Sequence, residues 1–119
     1  MDMPAVLAWK LATTGAGVYP FQKPEDATLP ALAYNRISDR VQDKNHSAGG
    51  ALHLARVQIT HVASTPDGAF ALVDSVQTIL EGNKIDFSAS LSADVHIENQ
   101  EAEDIYVVTK EYFVQYKSN

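Results

Sequence analysis

The chain has no cysteine, which excludes disulfide frameworks, thiolate nucleophiles, iron–sulfur clusters and cysteine-ligated zinc. Positive charge is scarce too: nine Lys and Arg stand against fifteen Asp and Glu, a net charge of −6, and the basic residues are scattered. A direct grip on nucleic acid needs a concentrated positive face, so it is disfavoured. No apolar run approaches the length of a bilayer span. The start, Met1-Asp2-Met3-Pro4 with Lys10 interrupting its apolar stretch, does not read as a secretory signal. With 45% apolar and 20% charged residues over 119 positions, the composition argues for one globular domain, 1–119, rather than disorder.

Periodicity then places the elements. Met3, Val6, Leu7 and Leu11 recur at helical spacing over 3–13, with Asp2 as N-cap and Gly15 and Gly17 as breakers. Val18-Tyr19-Pro20 is short and β-prone, and Pro20, Pro24 and Pro30 make Phe21 to Pro30 an extended connector. Leu32, Tyr34, Ile37 and Val41 mark a strand over 31–41, after which Gln42 to Gly50 turns polar and predicts a long exposed loop. Leu52 to Ala63 alternates, with Val57, Ile59 and His61 on one face and Arg56, Gln58 and Thr60 on the other.

The next helix has Thr65 as N-cap, Pro66 in its first position, Asp67 toward the positive dipole end and Gly82 at its stop. Its apolar stripe is Ala69, Leu72, Val73, Val76, Ile79 and Leu80. Strands over 91–98 and 105–117 follow, joined by the acidic linker Asn99 to Asp104, a solvated hairpin loop. The expected fold class is α+β, a mainly antiparallel sheet with two helices packed on one face, in the order α-β-β-β-α-β-β. The last strand is apolar on both sides, with Tyr106, Val108, Tyr112, Val114 and Tyr116 on one and Ile105, Val107 and Phe113 on the other. Either it is central and covered twice, or its second face is buried against another subunit.

Catalytic and cofactor patterns are missing. His53 and His61 share a face, but eight residues at about 3.3 Å each put them roughly 26 Å apart, too far for one zinc ion. His61 reads as a hydrogen-bonded core or interface histidine, and His46 and His96 as solvated. No serine sits in Gly-x-Ser-x-Gly; Ser88, Ser90 and Ser92 form a polar face or loop. Gly15, Gly17, Gly49 and Gly50 match neither a dinucleotide fingerprint nor a phosphate loop, and Glu101, Glu103 and Asp104 lie where nothing would desolvate them. The first helix lacks a basic polar side, so it packs on the sheet rather than on a membrane.

Several short motifs together resemble one family. They are Gly17-Val18-Tyr19-Pro20, then Leu29-Pro30-Ala31-Leu32-Ala33-Tyr34-Asn35-Arg36-Ile37-Ser38, then Leu54-Ala55-Arg56-Val57-Gln58-Ile59. The helix from Asp67 to Leu80 ending in Glu81-Gly82 and the closing Tyr112-Phe113-Val114-Gln115-Tyr116 complete the set. In this order they are similar to the tail terminator, or tail-to-head joining (tail completion), proteins of long-tailed bacteriophages. Ala31, where that family often has an aromatic, and the acidic linker before the last strand depart from its pattern. The resemblance implies a non-enzymatic structural protein without cofactor. It would form a ring, in that family commonly a hexamer, on the last ring of tail-tube protein. There it would stop tube growth and meet the head–tail connector at the tail–head junction of the virion, after assembly in the host cytoplasm.

A ring needs heterologous contacts that close, not a catalytic pocket. Candidate interface residues are Arg36, Arg40 and Arg56, which could pair with acidic neighbours or simply line an exposed strand face; Asp39, Asp43 and His46; and Tyr112, Phe113 and Tyr116 on the last strand. The stretch Asp39 to Gly50 would either order on docking to the tube or remain a hairpin loop without a partner. Glu98 to Asp104 with Asp39 and Asp43 could face a lumen, where negative charge lets DNA pass without specific binding. Two other readings stay open: a head-side neck or adaptor protein docking on the portal, and a small ligand-binding or hydrolytic α+β domain using His61 and a carboxylate in a cleft.

Overall fold

The computed structural model describes residues 3–21, 28–43, 52–82, 88–100 and 105–117. Helix α1, Met3–Ala12, buries Met3, Leu7 and Leu11, the i, i+4, i+8 stripe expected of it. Its end is closed by the Thr13 and Thr14 hydroxyls, which donate to the carbonyls of Lys10 (2.6 Å) and Leu11 (2.8 Å), and by Gly15 at φ 86°, a conformation that costs glycine little. The expected cap Asp2 lies outside the described residues.

Strand β1, Gly17–Pro20, pairs in parallel with the first four residues of β2, Ala31–Asp43. It is short because Phe21 adopts φ 65° and carries the chain off the edge after its amide donates to the Tyr34 carbonyl at 2.8 Å. Strand β3, Leu52–Ala63, pairs antiparallel with β2 and, on its other side, with β5, Ile105–Lys117; β4, Ser88–Gln100, closes the far edge. The sheet order is β1-β2-β3-β5-β4. The α-β-β-β-α-β-β order and the α+β class are those expected.

Helix α2, Pro66–Gly82, begins as predicted: the Gly68 amide donates to Thr65 Oγ1 at 3.0 Å. A Cβ at Gly68 would meet that same oxygen at 2.9 Å, so the cap and the glycine fit one another. Ala69, Leu72, Val73, Val76 and Leu80 are buried, and Ile79 is half-buried. Both helices lie on one face of the sheet. Met3, Leu7 and Leu11 of α1 and Leu72, Val76 and Leu80 of α2 share a core with Leu32, Val57, Ile59, Tyr112 and Val114 from the strands.

Three boundaries differ from expectation. β2 runs two residues past the expected 41, to Asp43, because its residues from 38 onward pair with Leu52 to Arg56; the Asp39 to Asp43 part of the stretch also read as a docking or hairpin loop is therefore strand, while 44–51 lie outside the described residues. β4 starts at Ser88, so Ser88, Ser90 and Ser92 are strand residues. Asn99 and Gln100 also belong to β4, paired with Tyr106 and Ile105, which leaves only 101–104 of the acidic linker outside the described residues.

The doubly apolar β5 is interior to the sheet. Its second face is only half covered: Ile105 and Val107 are buried with Val62 against Leu29, whereas Phe113 is 39% exposed. Thr65→Ala should lower the unfolding free energy by about 1 kcal/mol, with Thr65→Ser near wild type, as read from urea unfolding midpoints.

Candidate functional site

Strand β2 changes phase in its middle. Leu32, Tyr34 and Arg36 sit opposite His61, Ile59 and Val57 on the helix-bearing face; a bulge at Ile37 follows, and Asp39 and Val41 then sit opposite Ala55 and His53. The bulge thus places Asp39 on the helix-bearing face, where regular alternation would turn it away. Beside it on β3 is His53, and beside that on β5 is Tyr116.

These residues form one network. His53 Nδ1–H donates to Asp39 Oδ1 at 2.8 Å, the Tyr116 hydroxyl donates to Asp39 Oδ2, and Arg36 Nη1 donates to that same oxygen at 3.3 Å. The His53 and Tyr116 rings stack at 4.9 Å with an interplanar angle of 19°. Burial pushes the Tyr116 phenol up to about 12, and its bond to Asp39 adds to that, so it remains a donor at physiological pH. One carboxylate therefore ties three adjacent strands together.

The other candidates fall elsewhere. Arg56 lies on the face without helices, where its Nη2 donates to both Glu111 carboxylate oxygens at 3.0 and 2.9 Å, beside its register partner Phe113. Arg36 and Arg56 thus have acidic partners within the chain. Arg40 is exposed and makes no ion pair among the described residues. Asp39 is drawn into the network rather than left to line an open surface. Tyr112 is fully buried beneath the helices, its phenol raised to about 12 by burial and by Glu81, and it offers no surface to a partner. The Asp43 side chain and all of His46 lie outside what is described.

His61 is the hydrogen-bonded core histidine that its position suggests. It is 0% exposed, Nδ1–H donates to the Val108 carbonyl at 2.8 Å, and Nε2 has no hydrogen-bond partner. Burial pushes its pKa down to about 4, Lys110 adding to the shift and the Val108 bond opposing it. A hydrolytic reading would need His61 in a cleft with a carboxylate. It lines neither of two surface pockets, one of about 270 Å³ between α1, Phe21, Tyr34 and Arg36, the other of about 240 Å³ beside Pro30 and the start of α2. Neither of those pockets is lined by an acid or a histidine. Among the described residues no cluster of His, Cys, Asp and Glu could hold a metal ion, and no helix is long and apolar enough to cross a membrane.

Sequence reasoning paired neither His53 with Asp39 nor either with Tyr116. The available signal was the shift of β2's apolar positions from even numbers (Leu32, Tyr34) to odd ones (Ile37, Val41), the mark of an inserted residue.

No family model and no curated protein matches the chain. Among solved structures, a chain from the virion of a native gene transfer agent (GTA) particle shares the fold. The TM-score is 0.60 at 16% sequence identity, over 96% of this chain and 86% of that chain. The two share an architecture from α1 through β5.

Two outcomes follow from these environments. Asp39→Ala leaves Arg36, His53 and Tyr116 without their shared acceptor and should cost about 2 kcal/mol in urea unfolding. Because unfolded His61 takes a proton near pH 6.5 and folded His61 only near 4, its contribution is complete above pH 6.5 and is lost as pH falls toward 4. The loss amounts to about 3 kcal/mol over that window. Unfolding midpoints measured from pH 7 to 4 should flatten in His61→Leu, and an unchanged slope would assign the acid sensitivity to other groups.

Proposed function

We propose that this chain is a non-enzymatic structural protein of a phage-like virion, and that its place there is the tail terminator. In this reading it sits as a ring, a hexamer, on the end of the tail tube, ends tube polymerisation and joins the tail to the head connector. DNA passes through its lumen without specific binding.

The observation that carries the reading is the shared fold with a gene transfer agent virion chain across nearly the whole length of both. The order of motifs from Gly17-Val18-Tyr19-Pro20 to the Tyr112–Tyr116 run supports the narrower terminator assignment. The polar chemistry points the same way. Asp39 is occupied by three donors and Arg56 by Glu111, so these groups hold strands together rather than stand poised for proton transfer. The net charge of −6 suits a protein past which DNA must slide.

Electron microscopy of particles made without this gene tests the assignment. A terminator predicts overlong tubes beside filled, unjoined heads. Tails of normal length beside tailless heads would move the protein to the head-side adaptor position, and normal particles would remove both roles.

A further inference from the structure

A hollow of about 270 Å³ opens where α1, the end of β1 and the middle of β2 meet. Its lining is mostly apolar, with Met3 and Leu7 from α1, Pro20 from β1 and Val57 from β3. Asn35 and Arg36 add a polar side, and no acid lines it. A concave apolar site with a few converging polar groups is the usual form of a ligand pocket.

Phe21 lines the same hollow. Its backbone stands at φ 65°, which a bulky residue adopts only under constraint, and it is 77% exposed, so packing does not offset the strain. Strain of this kind persists where it places a side chain for use, at ligand clamps among other sites. Here it keeps Phe21 beside the hollow instead of letting β1 continue along β2. Arg36 can hold a second acid besides Asp39. Its contact to Asp39, 3.3 Å, is the longest of the three that carboxylate receives, and its side chain is 46% exposed. A guanidinium has five N–H donors, so one long bond leaves most of its fork for another anion.

We propose that this hollow binds the C-terminal residue of a partner chain, whose apolar side chain enters against Leu7 and Val57 while its carboxylate meets Arg36 and Asn35. The charge complementarity is direct: a cation and an amide at an apolar site without acids, and a planar fork matched to a carboxylate. A chain end fits where an internal acid does not. Asp and Glu carry their carboxylates on short polar side chains, whereas a terminal Leu or Phe sets a full apolar side chain and a carboxylate on one Cα. Phe21 then covers the bound residue from the solvent side. The site does not rest on the terminator reading; taking the partner to be another virion protein does.

Titration of the whole chain with the peptide acetyl-Ala-Ala-Leu, followed through the backbone amides by NMR, tests this. The free-acid peptide should shift the amides of Asn35, Arg36 and Val57 and saturate in the millimolar range, and amidating its end should weaken it about tenfold. Asn35→Asp, which leaves the Asp39 network intact, should weaken the free acid about tenfold and spare the amide. Arg36→Gln should make acid and amide bind alike, with a urea midpoint showing that the fold stands. Phe21→Gly should leave that midpoint at or above wild type yet weaken the peptide severalfold, a split that a mere packing residue would not give. No shift at tens of millimolar peptide, or equal affinity for acid and amide in the unaltered chain, would overturn the proposal. Hexanoate binding more tightly than the peptide would assign the hollow to a small free acid and sink the chain-end reading. None of these measurements involves particles, so their outcome is separate from that of the virion role.

Discussion

The geometry of this fold turns on a mismatch of rise. A strand advances about 3.3 Å per residue and a helix 1.5 Å, so the 13 residues of β2 reach roughly 43 Å while the 17 residues of α2 reach roughly 26 Å. The helix layer therefore cannot cover the sheet, and the molecule is drawn out to 53 Å in one direction against 24 and 23 Å in the others. Where cover runs out, an apolar face would meet water, and the sequence changes character at that point. Along the helix-bearing side of β3, Val57 and Ala55 give way to His53; along β5, Val114 gives way to Tyr116; along β2, the bulge brings in Asp39.

The network at that margin suits half-burial. An isolated carboxylate there would lose water without compensation, whereas one holding three donors does not. Each partner also comes from a different strand or from the far side of the bulge, so the bonds fix the mutual register of β2, β3 and β5 where side-chain packing no longer does. The opposite face uses another device. Val62, Ile105 and Val107 make a small apolar cluster against Leu29, and farther along that face polar residues such as Arg56, Gln58 and Glu111 alternate with Leu52, Leu54 and the exposed Phe113.

Much of the layout was legible in the sequence because it depends on local periodicity. The stripes of α1 and α2, the Thr65 cap and the alternation of β3 each need only a short window of sequence, and each matches the structure. The extent of β2 and β4 was not legible. Residues 42–43 and 99–100 look polar enough for loops, and they are held in strands by partners distant in sequence. The same reason hid the Asp39 network: its geometry is set by a one-residue insertion and by pairing between positions as far apart as 39 and 116. Tyr112 illustrates the converse. An apolar strand can be read from its residues, but which of its two faces is consumed by the chain's own helices cannot, and Tyr112 lies wholly on the consumed side.

The long ladder of β3 also has a mechanical meaning. It is bonded antiparallel on both sides, to β2 and to β5, along nearly its whole 12-residue length, and such bonds lie perpendicular to the strands. A pull along the strand axis loads all of them together in shear, whereas a pull across the sheet opens them one after another. The ladder is accordingly anisotropic, stronger against a pull along its strands than against one across them. Its orientation relative to any applied tension therefore governs how much force it can carry.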